Sequence, residues 1–147
     1  MTFLVDANVL SEPTKSTPNP RVVEWLRKNE RDIVVDPLIL GEVRFGILLL
    51  PKGKRRTRLE AWFHAGVQRL HCLPWEAETG LRWAGLLAVL RASGRAMPIK
   101  DSLIAATALV HDLVVATRNR KDFEPAGVRI IDPFQGPPRA ITRTGRP

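Results

Sequence analysis

Four short runs of apolar residues constrain the fold of this chain more than any other feature of its sequence. They are Thr2 to Val5, Ile33 to Val35, Leu113 to Ala116 and Val128 to Ile131, and they are rich in β-branched residues. The first three are almost unbroken in apolar character, which is typical of strands that are covered on both faces. Because such strands occur in parallel sheets flanked by helices, we expect a central, mainly parallel sheet.

The segments between these runs carry apolar residues at helical spacing. Three stripes are formed by Val22, Val23 and Leu26, by Leu59, Trp62, Phe63, Val67 and Leu70, and by Trp83, Leu86, Leu87 and Leu90. Further helices are predicted over Leu38 to Leu50 and over the segment PIKDSLIAATALVHD, which begins at Pro98. The alternation of strands and helices predicts an α/β sandwich with right-handed crossovers.

The length of 147 residues fits one domain. We expect that domain over residues 1–134, followed by a disordered basic tail over residues 135–147. Lys and Arg outnumber Asp and Glu by 23 to 15, and the net charge of +8 makes a polyanion the first partner to consider. No apolar stretch is long enough to span a membrane, and the start MTFLVDANVL does not resemble a signal peptide, so we expect a cytoplasmic protein.

The cysteine and the histidines do not form a metal-binding pattern. A single cysteine, Cys72, excludes an intrachain disulfide, and its apolar surroundings favour a small buried hydrophobic residue over a nucleophile. His64, His71 and His111 do not repeat at metal-ligand spacing and fall on or beside helical patterns. We interpret all three histidines as structural.

Asp6 follows the first apolar run directly. It therefore lies at the carboxyl end of a predicted strand, where the ligand sites of open α/β sheets are found. The alternative is a turn residue or helix cap, assisted by Asn8.

Glu42 lies on the apolar helix predicted over Leu38 to Leu50, on the same face as Phe45 and Leu49. A carboxylate that projects from an apolar stripe requires a cation or a strong partner, because an unpaired buried charge costs several kcal/mol. The alternative to a functional site is an ion pair with an arginine, for example Arg44.

A third acid, Asp101, lies in the first turn of the helix that begins near Pro98. The helix dipole favours an acid there whatever the function, so capping is an alternative. Ala105 and Ala108 lie beneath it and allow another element to pack closely, which would leave Asp101 at the mouth of a cleft.

Further polar residues follow the run Leu113 to Ala116, again at the carboxyl end of a predicted strand. Thr117 and Asn119 offer neutral oxygen ligands or hydrogen bonds. Asp122 is either a ligand or a surface acid on a short helix, and we favour the surface interpretation.

If Asp6, Glu42 and Asp101 converge, three negative charges share a confined site. Such repulsion requires a divalent cation. Ligation by oxygen without His or Cys favours Mg²⁺ or Mn²⁺ over Zn²⁺. Beside a basic surface, the chemistry that fits this site is attack of a metal-bound water on a phosphodiester.

Four segments in this order resemble the PIN-domain ribonucleases: LVDANVLSE, LGEVRFG, DSLIAATA and VVATRNRKDF. The chain resembles in particular the VapC-type toxins of type II toxin–antitoxin systems, including their FitB-like branch, from Thr2 to about Phe134. The resemblance implies a PIN-like three-layer sandwich with a cleft at the carboxyl edge of the sheet. It also implies endonucleolytic cleavage of RNA that depends on Mg²⁺, with Mn²⁺ as an expected substitute.

By motif, Asp6, Glu42 and Asp101 match the three core acidic positions of the family and are the implied metal ligands. The fourth catalytic position, often Asp in PIN domains, matches Asn119. The loss of one negative charge there favours a single resident metal that is completed by substrate phosphate.

Two polar residues match positions that support the site in relatives. Asn8 and Thr117 are expected to hold the first acid through hydrogen bonds. Asp36 stands where relatives usually carry Ser or Thr. Because Pro37 follows it, we interpret Asp36 as a helix cap rather than as an additional metal ligand.

The family further implies a homodimer and a small cognate antitoxin whose tail fills the cleft. A candidate receiving surface consists of Val22, Val23, Trp25 and Leu26 with Ile47 to Leu50, although most of these residues also fit the core. Two basic clusters are candidates for contacts with RNA phosphates: Lys52, Lys54, Arg55, Arg56 and Arg58, and then Arg118, Arg120 and Lys121. The alternative for each cluster is a solvated charged surface.

These observations predict a metal-dependent endoribonuclease toxin that is neutralised by an antitoxin. Two alternatives stay open. One is a catalytically inactive PIN-like module that binds nucleic acid or a partner, and the other is a nuclease that acts on DNA.

Overall fold

A five-stranded parallel sheet forms the centre of the protein. The computed structural model describes residues 1–135. Their strands are β1 (Phe3–Val5), β2 (Ile33–Val35), β3 (His71–Cys72), β4 (Val114–Ala116) and β5 (Arg129–Ile131), in the spatial order β3-β2-β1-β4-β5. All neighbouring pairs are parallel, and Leu4 lies opposite Val34 on one side and Val115 on the other. The predicted α/β class is confirmed, and the sheet of the described residues is wholly parallel.

Helices cover the sheet to give a three-layer sandwich. Those of the described residues are α1 (Ala7–Leu10), α2 (Pro20–Lys28), α3 (Pro37–Leu48), α4 (Lys54–Ala65), α5 (Ala77–Ala92), α6 (Ile99–His111) and α7 (Arg120–Phe123). Asn19 and Asp36 cap α2 and α3 through their side chains, and a proline follows each cap at the first helical position. Proline is favoured there because its fixed φ suits the helix and its missing N–H costs nothing.

Three details differ from the predicted elements. The edge strand β3 is not among the predicted strands, since it has only two residues and pairs with β2 alone. The stripe predicted over Leu59 to Leu70 is not one helix, because α4 ends before Gly66 and Val67–Arg69 forms a 3₁₀ turn. The helix α3 ends at Leu48 rather than at Leu50.

The core lies against the central strands. Every residue of β1, β2 and β4 is buried, as the unbroken apolar runs predict. Phe3 of β1 packs edge-on against Trp25 of α2, with ring centroids 4.9 Å apart. In α6, Ile104 and Ala105 are fully buried. This close packing fixes α2 and α6 relative to the sheet.

Two further expectations concern a membrane-spanning helix and the tail at the end of the chain. Within residues 1–135, no helix combines the length and the apolar character needed to cross a membrane. Apart from Gln135, the tail predicted over residues 135–147 lies outside the described residues, so the domain boundary stays a prediction.

The strand order creates a topological switch between β1 and β4. From β1 the chain proceeds to β2 and β3 on one side, and then adds β4 and β5 on the other side. In open α/β sheets, ligands bind at such a point, beyond the carboxyl ends of the strands. Asp6 follows β1 and Thr117 follows β4 at this edge.

Candidate active site

Asp6 is buried at the carboxyl end of β1 and held in one orientation. Its backbone N–H donates to the carbonyl of Ala116 in β4 at 2.9 Å, which continues the ladder. Its Oδ1 accepts the N–H of Ala7 at 2.9 Å, and its Oδ2 accepts the hydroxyl of Thr117 at 2.7 Å. Burial raises the pKa of Asp6, the Thr117 hydroxyl opposes that rise, and the charge of Glu42 adds to it.

Asn8 and Thr117 lie against Asp6, as the resemblance implies. The Asn8 amide donates to Asp6 Oδ2 at 3.2 Å, while Asn8 Oδ1 accepts the N–H of Arg118 at 3.1 Å. Thr117 Oγ1 accepts the N–H of Asn119 at 3.0 Å. Both side chains therefore connect Asp6 to the loop after β4. Asn119 itself is exposed at the start of α7, and its catalytic role stays a prediction.

Glu42 reaches the same region from α3 and forms an ion pair with Lys100 of α6. Its Oε2 accepts from Lys100 Nζ, whereas its Oε1 is buried and has no hydrogen-bond donor among the described residues. Glu42 therefore forms an ion pair, as the alternative interpretation predicts, but its partner is Lys100 and not an arginine. Arg44 pairs with Glu60 instead, at 3.0 Å.

The surroundings of Glu42 also need correction. Its helix neighbours Phe45 and Leu49 are 62% and 68% exposed, so the predicted apolar stripe is not a buried one. Glu42 is half-buried at the edge of an open apolar surface. The reason is that α3 buries its opposite side, with Ile39, Val43 and Ile47, in the core.

Lys100 also belongs to this site, although no sequence motif indicates it. It precedes Asp101 in the first turn of α6. The hydrogen bond to Glu42 raises the pKa of Lys100, burial opposes the rise, and the charges of Glu42, Asp101 and Asp6 add to it. In the sequence, only the position of Lys100 next to Asp101 indicates that it belongs to the site. That indication is weak, because a lysine near the start of a helix is usually solvated.

Asp101 lies in the first turn of α6, as predicted, and is 6% exposed. Burial is the largest cause that raises its pKa to about 6, followed by the negative charges of Asp6 and Asp122. Asp6, Glu42 and Asp101 thus act on one another electrostatically. Asp122 lies half-buried on the short helix α7 and its charge acts on Asp101, so its interpretation as a surface acid rather than a ligand stays a prediction.

The carboxylates form an acidic cluster but not a preformed metal cage. Among residues 1–135, no three His, Cys, Asp or Glu side chains are grouped closely enough to hold a metal ion. The donor set fits a hard divalent cation, because it consists of carboxylate oxygens and includes the buried Oε1 of Glu42. A cation bound here would compete with Lys100 for Glu42.

Asp36 is a helix cap, as predicted. It is fully buried after β2, and its Oδ1 accepts the N–H of Ile39 at 3.0 Å. Its Oδ2 accepts the hydroxyl of Thr107 in α6 at 2.8 Å. Burial raises the pKa of Asp36, and these hydrogen bonds oppose the rise. Asp36 therefore connects β2, α3 and α6.

The side chains of the first basic cluster differ in how they are engaged. Arg56 donates to the carbonyl of Leu50 at 3.3 Å and lies 3.8 Å from Glu60. Arg55 and Arg58 are exposed. Arg56 is thus occupied in joining α4 to the turn after α3, which leaves Arg55 and Arg58 as the candidate arginines for an external anion.

In the second basic cluster, two arginines have partners within the domain. The guanidinium of Arg118 lies 4.4 Å from the ring centroid of Phe134, and Arg120 donates to the carbonyl of Ile130 at 3.2 Å. Both side chains remain exposed. The lysines of the two clusters, Lys52, Lys54 and Lys121, are exposed as well.

Glu12 is a further buried acid, at the end of the segment LVDANVLSE. It is 4% exposed, its Oε2 accepts the N–H of Asn19 at 2.8 Å, and its Oε1 lies 3.0 Å from Lys15 Nζ. Burial raises the pKa of Glu12, but the bonds from Asn19 and Lys15 outweigh it and the net shift is downward. Glu12 therefore fastens the turn after α1 to the start of α2.

Cys72 is half-buried in β3. Burial and the charge of Asp36 raise the pKa of its thiol, which disfavours the nucleophilic thiolate. The histidines are exposed, and His64 contacts Gln68.

Sequence comparison assigns the chain to a family. Residues 3–127 match the family model described as the PIN domain. Since this match covers most of the chain, the protein belongs to the PIN-domain family. The predicted family is confirmed.

Individual relatives define the branch. The chain is 34% identical over 138 residues to the VapC ribonuclease Y4jK of Sinorhizobium fredii, covering 90% of this chain and 98% of the relative. It is 33% identical over 136 residues to the toxin FitB of Neisseria gonorrhoeae, with coverages of 90% and 98%. The crystal structure of FitAcB from Neisseria gonorrhoeae matches with a TM-score of 0.85 and 32% identity, covering 90% of this chain and 99% of that one. These similarities agree with the predicted VapC-type and FitB-like branch.

Proposed function

We propose that this protein is an endoribonuclease toxin that uses Mg²⁺ to cleave phosphodiester bonds of a cellular RNA. The observation that supports the proposal is that Asp6 is buried at the topological switch of the sheet and that Asp6, Glu42 and Asp101 act on one another electrostatically. The pKa values of Asp6 and Asp101 are raised in part by the neighbouring carboxylates. The ribonuclease and toxin relatives support this function.

A divalent cation suits this cluster for two reasons. It would compensate carboxylates that otherwise repel one another, of which Lys100 offsets only one charge. It would also give the buried Oε1 of Glu42 a partner. The ligands are Asp6, Glu42 and Asp101, Mn²⁺ is expected to substitute for Mg²⁺, and bound Mg²⁺ would neutralise phosphate charge and lower the pKa of a coordinated water.

The remaining residues orient the site. Thr117 and Asn8 hold the Asp6 carboxylate in one rotamer through bonds of 2.7 and 3.2 Å. Asp122 adds negative charge from α7, which compensates for the uncharged Asn119 at the fourth position of the motif. Lys100, once released from Glu42, is placed to attract the phosphate of the substrate.

Contacts with RNA are assigned to the basic residues outside the acidic cluster. Phosphates would lie on the exposed cations, and this electrostatic affinity falls steeply with salt. The proposed residues are Lys52, Lys54, Arg55, Arg56, Arg58, Arg118, Arg120 and Lys121. Of these, Arg56 contributes least, because it is already paired with Glu60.

An antitoxin and a homodimer complete the proposal. Exposed apolar residues lie at the end of α3 and directly after it, namely Phe45, Leu48 and Leu49, and they support a protein partner near Glu42 at the mouth of the site. Of the predicted receiving surface, Val22 and Ile47 are buried in the core, whereas Val23 is exposed. The partner surface therefore centres on the end of α3.

The experiment is a cleavage assay on total cellular RNA with purified protein and Mg²⁺. We expect discrete RNA fragments that disappear with EDTA and in Glu42→Gln and Asp101→Asn, while Asp112→Asn, an exposed acid at the end of α6, remains active. Cleavage that persists with EDTA and in both site variants would overturn the mechanism.

A binding module without catalysis is the second candidate, and the Lys100–Glu42 ion pair favours it because an internal cation partly replaces the metal. Mn²⁺ titration of the metal-free protein separates the two. A catalytic site binds Mn²⁺ and loses affinity in Glu42→Gln, whereas the module shows no binding that depends on Glu42.

A further inference from the structure

Two adjoining cavities form a groove that begins at Glu42 and runs along α4. The smaller, of 190 Å³, lies between Glu42, Gly46 and the side of α4 that carries Arg55 and Trp62. The larger, of 390 Å³, continues toward Lys15 and Arg58. Both cavities share Thr14, Arg55, Leu59 and Trp62. We call this space the α4 groove and define it by Thr14, Lys15, Arg55, Arg58, Leu59 and Trp62.

The outer part of the α4 groove is positively charged. Lys15, Arg55 and Arg58 line the larger cavity, and its lining contains no acid among the described residues. Lys15 is paired with Glu12 at 3.0 Å. In residues 1–135, Arg55 and Arg58 have no carboxylate within ion-pairing distance, in contrast to Arg56, which turns to Glu60. Two guanidinium groups are therefore free to bind an anion.

Trp62 gives the α4 groove an aromatic wall. It follows Arg55 and Arg58 at positions i+7 and i+4, so the three side chains share one face of α4. The sequence pattern places Trp62 in a core stripe, but the structure leaves it half-buried and lining both cavities. An aromatic platform beside unpaired arginines is the arrangement that binds single-stranded nucleic acid, since bases stack on the ring and phosphates lie on the cations.

We propose that the α4 groove binds a single-stranded segment of the RNA next to the bond that is cut. One base stacks on Trp62, and the flanking phosphates lie on Arg55 and Arg58. The proposal rests on the proposed function and adds to it a defined binding site for the RNA strand, the α4 groove. Because Glu42 lines the smaller cavity, a strand in the α4 groove reaches one of the three proposed metal ligands.

Binding is measured without cleavage, by fluorescence anisotropy in EDTA with a labelled unstructured RNA of about 12 nucleotides. Arg55→Gln and Arg58→Gln should each weaken binding and reduce the slope of log affinity against log salt by about 0.7. Trp62→Leu should weaken binding by about fivefold or more, and Trp62→Phe should retain most of the affinity. Arg31→Gln is the matched control, because Arg31 is exposed before β2 at the opposite edge of the sheet.

Two readouts separate stacking from packing. An abasic strand of the same length should bind wild type and Trp62→Leu equally, because it has no base to stack. Bound RNA should quench tryptophan fluorescence in wild type, and most of that quenching should disappear in Trp62→Phe.

The outcomes are distinguishable from failure of the proposed function. If Arg55→Gln, Arg58→Gln and Trp62→Leu bind RNA as tightly as Arg31→Gln, RNA binding in the α4 groove is refuted even where Mg²⁺-dependent cleavage is intact. The α4 groove would then be a candidate site for a protein partner. If the variants weaken binding as expected while no cleavage occurs, RNA binding in the α4 groove is upheld and the catalytic proposal fails.

Discussion

Asp6 and Asp36 occupy equivalent places at the ends of the neighbouring strands β1 and β2. Each is buried, and each uses Oδ1 to cap the helix that follows. Each also accepts a threonine hydroxyl through Oδ2, from Thr117 at 2.7 Å and from Thr107 at 2.8 Å. Burial raises the pKa of both carboxyl groups.

The two residues differ in what the surrounding helices bring to them. Asp6 faces Glu42 from α3, and its own charge acts on Asp101 in α6. Asp36 receives its threonine from the buried interior of the same α6, with no exposed surface. One local pattern, an acid after a buried strand, therefore gives a member of an acidic cluster in one case and a structural connection in the other.

The largest expected difference is in activity. Asp6→Asn should reduce RNA cleavage about a hundredfold or more, because it removes a charge that holds the cation. Asp36→Asn should stay within about twofold of wild type, because its amide oxygen can still cap α3. Initial rates on labelled RNA with Mg²⁺ measure both, and equal losses in the two variants would remove the distinction.

The second-largest expected effect is on stability, and it concerns Asp36. Asp36→Ala should lower the free energy of unfolding by about 2–4 kcal/mol, because it removes a helix cap and leaves the Thr107 hydroxyl unpaired in the core. Asp36→Asn should lose far less. Urea denaturation at neutral pH measures the effect, and a loss below about 1 kcal/mol in Asp36→Ala would show that the cap is dispensable.

A smaller effect concerns pH. The pKa of Asp101 is about 6 in the folded protein and about 3.9 in an unfolded chain. The folded state therefore binds more protons between these values, so the metal-free protein should lose stability as pH rises from about 4 to 6. The loss is at most about 3 kcal/mol, at about 1.4 kcal/mol per pKa unit.

Asp101→Asn tests this linkage. In EDTA at pH 7.5 the variant should melt at a higher temperature than wild type, and at pH 4 the two should agree more closely. Asp6 and Asp36 contribute in the same direction, so the comparison is between the variant and wild type at each pH. A variant that is no more stable than wild type at pH 7.5 contradicts the prediction.

The smallest effect concerns the competition for Glu42. Lys100→Met should raise the affinity of the metal-free protein for Mn²⁺ about two- to fivefold, which corresponds to an exposed ion pair. Isothermal titration measures it. Lys28→Met, on an exposed lysine at the end of α2, should leave the affinity unchanged. Weaker Mn²⁺ binding in Lys100→Met would indicate that Lys100 assists the metal rather than competing with it.

Local sequence patterns predict most of the fold. The unbroken apolar runs identify four of the five strands in the described residues, and the Asp36–Pro37 pair identifies the start of α3. Asp6 and Asp101 could be proposed as site residues because each has an unusual local position. Such features depend on neighbours within a few residues, so a single chain reveals them.

The parts that escaped prediction depend on residues far apart in the chain. The ion pair of Lys100 with Glu42 spans 58 residues, and the effect of Asp122 on Asp101 requires α7 to pack against α6. The strand β3 has only two residues and is partly exposed, so its sequence does not show the apolar run of a buried strand. Trp62 has the spacing of a core residue, and only the position of α4 beside the turn at Thr14 leaves its ring accessible.

The sequence by itself determined that the chain forms a parallel sheet with acidic residues at its carboxyl edge. The reason is that buried strands and helix caps are both indicated by residues close together in the chain. Tertiary structure decided which of the acids repel one another and which are satisfied, because an electrostatic environment is set by every element packed around a side chain. The same distinction applies to the net charge of +8. The size of the charge is a property of composition, but only the fold places Arg55 and Arg58 along a groove that extends to Glu42.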